Sequence, residues 1–281
     1  MPADDRDPRD VFTRDVDLPR SRERRPVRER DHVYEINATE SRMLATVGAF
    51  RVVAESDLHD GRGDTRKGLR HLEREGLVRT SPLSSDDRAM ILTDRGRDLL
   101  EANRHEPQRR SWEPRQTFYA GLRKPRELTH DSKVYRAYLR AEERLRESGG
   151  RANRVALDYE LKREYQRFLH ERNRGKKDCD GRPDREPHEV AQWARQHDLP
   201  YDDDGHVHFP DARIEYEDRD GVSRHEDLEI VTGHYRGAHA GAVARSGFSC
   251  YRAIASMVGG CASTGRRGGS RHPRLAEELL G

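Results

Sequence analysis

A chain of 281 residues is long enough for two domains, but only 32% of it is hydrophobic and 38% is charged, so its cores must be modest and separate. A net charge of +2 excludes a global electrostatic field, and any affinity for a polyanion must come from local patches. No apolar run reaches membrane-spanning length, the charged N-terminus lacks a signal-peptide core, and Cys179, Cys250 and Cys261 form no CxxC pair; reduced thiols, a cytoplasmic location and no membrane partner are the expectation.

Residues 1–30 are dense in arginine, acids and proline and have almost no apolar periodicity. They read as a disordered polyampholyte arm. Asn37-Ala-Thr-Glu40 is a capping box that opens a helix through Phe50, with Met43, Leu44 and Val47 as its stripe. Residues 51–53 are strand-like, 55–59 a short helix, and 60–63 a turn leading to the cap Asp64. In the helix that follows, Leu69 and Leu72 share one face with Thr65 beside them. Lys67, Arg70, His71 and Arg74 lie opposite, and Arg66 joins the cationic set. Gly76 ends the helix. Leu77-Val78 and residues 89–92 then flank a polar loop, 81–88, as two short strands. Arg88 on that loop is placed to reach a phosphate or the minor groove. Thr93 caps a last helix, 94–103, carrying Leu99 and Leu100.

A cationic helix followed by a two-stranded wing is the layout of a winged helix-turn-helix, here residues 31–105. The element order, with Leu72-Glu-Arg-Glu-Gly-Leu-Val78 and Asp87-Arg88 ahead of Leu92-Thr-Asp-Arg-Gly-Arg-Asp-Leu-Leu100, resembles the winged-helix domains of MarR-type regulators. The resemblance implies double-stranded DNA as partner, with Arg66, Lys67, Arg70, His71, Arg74 and Arg88 as contacts.

Residues 106–128 read as a connector with one short strand at 116–122. A helix follows to Glu147 with Val134, Tyr135, Tyr138, Leu139 and Leu145 inward, ended by Gly149-Gly150. Residues 154–159 are strand-like. Residues 160–173 are helical, 175–185 a polar loop, and 186–197 helical around Val190, Trp193 and Ala194. From Gly205 the pattern has period two: residues 206–216, a turn at 218–221 and residues 226–231 make a hairpin. His206 and His208 alternate on it with no third metal ligand in reach. A small-residue helix at 237–246 and a strand at 249–254 precede a Gly-rich basic tail, 259–281. The second domain is therefore placed at 129–258, and the fold class is α+β: a winged helix followed by a small restriction-endonuclease-like α/β domain.

Metal-dependent strand cleavage needs an Asp at the start of one central strand and an acid on the next, converging on Mg²⁺. Pro210-Asp211 opens one arm of the hairpin, Asp227 and Glu229 share a face of the other, and Glu160 is a third acid nearby. These motifs resemble the PD-(D/E)xK nuclease superfamily. Together with the winged helix and the His130-Asp131 helix start, they resemble the replication-relaxation proteins of plasmids and mobile elements. The resemblance implies Asp211 and Glu229 as Mg²⁺ ligands, with Asp227 and Glu160 in the catalytic set. Val231 stands where the family has the lysine that activates the attacking water, with Lys162, His234 and Arg236 as substitutes to consider. Gly233 to His239 is the densest polar stretch of this half, and His234, Tyr235, Arg236 and His239 are candidate phosphate contacts. Two readings stay open: a mobile-element DNA-binding protein whose second domain cuts, binds or dimerises on DNA, and a MarR-like transcriptional regulator whose second domain forms a homodimer or senses a ligand.

Overall fold

The computed structural model describes residues 7–58, 64–105, 114–122, 127–175, 182–231 and 248–252. It is α+β, with six α-helices and three small sheets among these residues. The chain divides into two compact units: Met1–Val155 with Ile214–Arg224, and Ala156–Arg213 with His225–Gly281.

The first unit is built around α1 (Ala38–Phe50). Asn37 accepts from the Glu40 N–H while the Glu40 carboxylate accepts from the Asn37 N–H, so the expected capping box forms. Met43, Leu44, Val47 and Phe50 are buried. Strands β3 (Val52–Ala54), β4 (Val78–Pro82) and β5 (Arg88–Leu92) form an antiparallel sheet in the order β3-β5-β4, with Val52 opposite Ile91 and Val78 opposite Leu92. Helix α2 (Asp64–Arg74) packs on α1 at Gly68, where a Cβ would lie 2.6 Å from Met43 Cε. Gly76, at φ +71°, releases the chain from α2 into β4. Thr93 caps α3 (Asp94–Ala102) by accepting from the Gly96 N–H, and its one hydroxyl hydrogen is shared between the Gly76 and Leu77 carbonyls, 2.7 and 2.9 Å from Oγ1. That single side chain ties the turn after α2 to the start of α3.

The disordered arm is not what residues 7–30 form. Phe12 is fully buried, its ring 5.3 Å from those of Phe50 and Tyr138. Val16, Leu18 and Val27 are buried as well. Strand β1 (Arg25–Glu29) pairs with β2 (His32–Ile36), Arg25 opposite Ile36, so the boundary expected at residue 31 falls inside a hairpin turn. The apolar residues here are too widely spaced to show a period. Each fills a separate hole, and burying one such side chain contributes about 1.5–3 kcal/mol. Of the charges between them, Arg9 pairs with Asp7 within the segment and Asp10 pairs with Arg42 of α1.

Two further boundaries move. Residues 114–122 do not form the expected strand; they run irregularly, donating from Tyr119 N–H to the Gly48 carbonyl and from Gly121 N–H to the Leu92 carbonyl. Helix α4 (Leu128–Glu147), expected to open the second domain, belongs to the first unit, because Tyr135 and Tyr138 complete the aromatic cluster on Phe50. Asp131 of the His-Asp start is spent on an ion pair with Arg51 at 2.5 Å.

A four-stranded sheet has the order β6 (Arg151–Leu157), β7 (Ala212–Glu217), β8 (Ser223–Val231) and β9 (Ser249–Arg252). Strands β8 and β9 are parallel, with Glu229 opposite Cys250. In the second unit, helices α5 (Asp158–His170) and α6 (Pro187–Gln196) enclose a small core in which Trp193 packs with Tyr165, Phe168 and Phe209. Regular pairing begins only at Ala212, so His206 and His208 lie in the preceding loop rather than on a strand.

Candidate nucleic-acid interface and the hairpin carboxylates

Helix α2 is sharply two-sided. Thr65, Gly68, Leu69 and Leu72 are buried, whereas Arg66, Lys67, Arg70 and Arg74 are exposed and make no ion pair with another described residue. His71 leaves the predicted cationic set. It is buried, with Nδ1 3.1 Å from Glu40 Oε1 and Nε2 3.6 Å from Glu75. The reason is geometric: residue 71 sits next to 68 and 72 around the helix, at the margin of the face that meets α1. Glu40, itself fully buried, also receives the Arg24 guanidinium on both oxygens at 2.5 and 3.2 Å. The supposed arm thus helps to neutralise the carboxylate beneath α2, which sequence patterning did not reveal.

The hairpin β4–β5 stands beside this helix. Its loop is pinned where the Leu83 and Ser84 N–H groups donate to the Asp87 carbonyl. The Asp87 carboxylate accepts from the Ser56 N–H and hydroxyl at 3.2 and 2.6 Å. Arg66 and Arg70 from α2 and Arg88 from β5 line one cleft of about 660 Å³, with Glu55 and the loop residues Ser84 to Asp87 also in its lining. Three of the predicted contacts, drawn from two elements, therefore converge. Arg88 is the partly engaged one, its Nε 2.8 Å from Glu55 and one terminal nitrogen 4.0 Å from Glu73.

The predicted acids of the second unit face a different environment. Asp227 is 9% exposed and bound through both oxygens by Arg213 at 2.7 and 2.8 Å. Arg213 also donates to the carbonyls of His197 and Asp198 just beyond α6, at 2.7 and 3.3 Å. Asp227 is accordingly a structural partner, not a free catalytic carboxylate. The Asp218 N–H donates to the Val222 carbonyl across the hairpin turn, and counting back from there sets Arg213 opposite Asp227 and Asp211 opposite Glu229. Asp211 accepts from the Ile230 N–H at 2.8 Å. Glu229 is 4% exposed. Burial, and then the Glu229 charge, push the Cys250 thiol up to about 11.

Glu160 lies in the first turn of α5, and Lys162, a candidate substitute for the missing lysine, is exposed and paired with Asp158 at 2.7 Å. His234, Tyr235, Arg236 and His239, and the helix expected at 237–246, lie outside the described residues. One acidic grouping was missed. Asp202, Asp204 and His206 bring one ligand atom each within 4.8 Å of one another, and His208 Nε2 lies 2.8 Å from Asp202. Its signal was the Asp202-Asp-Asp-Gly205 turn, which folds His206 back so that its N–H donates to the Asp202 carboxylate at 2.8 Å. That backbone hydrogen bond, and beside it the one to His208, hold the Asp202 carboxyl below the usual range.

Among the described residues no helix is long and apolar enough to cross a membrane. Comparison with protein-family models, curated proteins and solved structures returned no match to this chain.

Proposed function

We propose that the chain binds double-stranded DNA through α2, with the β4–β5 hairpin as the wing of a winged helix-turn-helix of the MarR type. The observation that carries this reading is the contrast in charge pairing on α2. Buried His71 lies with Nδ1 3.1 Å from buried Glu40 of α1, while Arg66, Lys67, Arg70 and Arg74 are exposed and make no ion pair with another described residue. An exposed cation with no partner costs nothing to present, and four on one helix supply the phosphate and base contacts that such a helix makes in the major groove. The cleft shared by Arg66, Arg70 and Arg88 suits the sugar-phosphate ridge beside the groove. A role in the replication or mobilisation of a plasmid or mobile element is part of the same proposal.

The second unit is read as a nuclease-like frame kept for binding. Its support is the sheet order, the antiparallel β7–β8 hairpin followed by parallel β9, with Asp211 and Glu229 facing across it. The two carboxylates that would hold a hard cation there are Glu229 and Asp211, which also accepts from the Ile230 N–H, a count that Mg²⁺ accepts while keeping its waters. Mg²⁺ there would supply charge neutralisation at a phosphate. This chain's own residues argue against efficient cutting: Arg213 takes Asp227, Asp158 takes Lys162, and Val231 holds the lysine position.

The test of the first reading is anisotropy with labelled duplex DNA. Arg70→Ala with Arg74→Ala is expected to weaken binding and flatten the log–log salt slope by about 1.8, at about 0.9 per phosphate. Unchanged affinity and slope would remove α2 from the interface. For the second unit, purified protein with supercoiled DNA and Mg²⁺ or Mn²⁺ is expected to give no nicking above that of Asp211→Ala.

A further inference from the structure

The second unit carries another cationic face, on α5. Arg163 and Arg167, and Arg174 just past the helix end, are exposed and make no ion pair with another described residue. Two acids share the groove lining with them: Glu164, 3.4 Å from His197 Nε2, and Glu171, which accepts from Arg185 at 2.9 Å. The three guanidinium groups border a groove of about 750 Å³, with Phe168, Trp193 and His197 also in its lining. Those rings are occupied with one another. Trp193 stacks on His197 at 3.9 Å and on Phe168 at 5.7 Å, and the Arg185 guanidinium lies 4.2 Å over Phe168.

Open aromatic faces would favour stacked bases. Here the faces of Phe168 and Trp193 are covered by neighbouring groups, and the guanidinium forks at the groove match phosphate oxygens through paired N–H donors. We propose that this groove binds the sugar-phosphate backbone of nucleic acid, as a second contact that rests on the reading of α2 as the DNA-binding helix. Contacts of this kind add affinity and salt dependence without reading sequence.

Full-length protein is titrated into a labelled duplex of mixed sequence across a salt series. R163Q/R167Q/R174Q is expected to flatten the log–log slope by about 2.7, three contacts at about 0.9 each, so that between about 50 and 200 mM salt the unsubstituted protein loses about 40-fold more affinity than the variant. R163K/R167K/R174K is expected to keep the original slope, which separates loss of charge from loss of fold. An unchanged slope in the glutamine variant, with binding by the unsubstituted protein intact, overturns the groove and leaves α2 standing. Absence of duplex binding by the unsubstituted protein overturns both readings. Displacement of the DNA by poly-glutamate at equal charge, lost in the glutamine variant, would assign the groove to acidic protein segments and overturn it too.

Discussion

The outer face of α2 and the inner face of the β7–β8 hairpin both hold clustered charges that the sequence marks as functional, and the fold treats them in opposite ways. On α2 the cations point outward and make no ion pair among the described residues. On the hairpin Asp227 is locked to Arg213, and Asp211 accepts a backbone N–H. A charge that the chain answers for itself holds structure, because a buried ion is tolerated only with a partner. A charge left unanswered at the surface is available to a ligand. Charge density alone does not separate the two cases; pairing does.

The largest effect is expected where the pairing is most complete. Arg213→Ala strands Asp227 in the interior and also removes two donors from the carbonyls after α6, and should lower stability by about 3–5 kcal/mol in chemical denaturation. Arg70→Ala should stay within about 0.5 kcal/mol, as surface changes do. Replacing the pair together, Arg213→Met with Asp227→Leu, should recover most of the loss. Equal destabilisation by Arg70→Ala and Arg213→Ala would erase the contrast between the faces.

Next in size is Phe12→Ala, expected to cost about 3 kcal/mol through the cavity it leaves between Phe50 and Tyr138. A change below about 0.5 kcal/mol would return residues 7–30 to the status of a tail. This is also where the sequence was least legible. The α1 capping box, the α2 stripe, the Gly76 stop and the Thr93 cap are local signals, each spelled out by neighbours in the chain, and all four elements appear where expected. Phe12, Val16 and Arg24 act over long separations, against Phe50, Arg104 and Glu40, and no periodicity records such contacts. His71 was misassigned for the same reason: helical spacing put it near the cations, and only the position of Glu40 draws it inward. Asp227 and Glu229 lie on the expected strand and Asp211 just before the other, but the Arg213 that engages Asp227 carries no motif to announce it.

A smaller effect probes the hairpin face without unfolding it. With the thiol pushed up to about 11 by burial and by Glu229, the raised pKa leaves Cys250 protonated through neutral pH. Its alkylation in a Cys179→Ser, Cys261→Ser background should run about a hundredfold below that of an ordinary cysteine. The rate should climb as pH rises toward that value. Glu229→Gln removes the nearby negative charge and should speed the reaction at neutral pH. If Glu229→Gln leaves the rate unchanged, the two side chains do not share the face that the register assigns them.

The smallest effect belongs to Arg88, which sits between the two cases and so sharpens the rule. It lines the same cleft as Arg66 and Arg70, yet its Nε is 2.8 Å from Glu55 and its side chain is 45% exposed. To bind phosphate it must first give up that carboxylate, an exposed pair worth about 0.2–1 kcal/mol. Arg88→Ala should therefore weaken duplex binding less than Arg70→Ala and shift the salt slope by no more than about 0.9. Glu55→Gln should act in the opposite direction: it frees the guanidinium and removes a negative charge from the cleft, tightening binding by up to about fivefold. If Arg88→Ala costs as much as Arg70→Ala and Glu55→Gln changes nothing, an acid within hydrogen-bonding distance does not withhold a cation from DNA in this cleft, and pairing would no longer separate structural charge from charge awaiting a ligand.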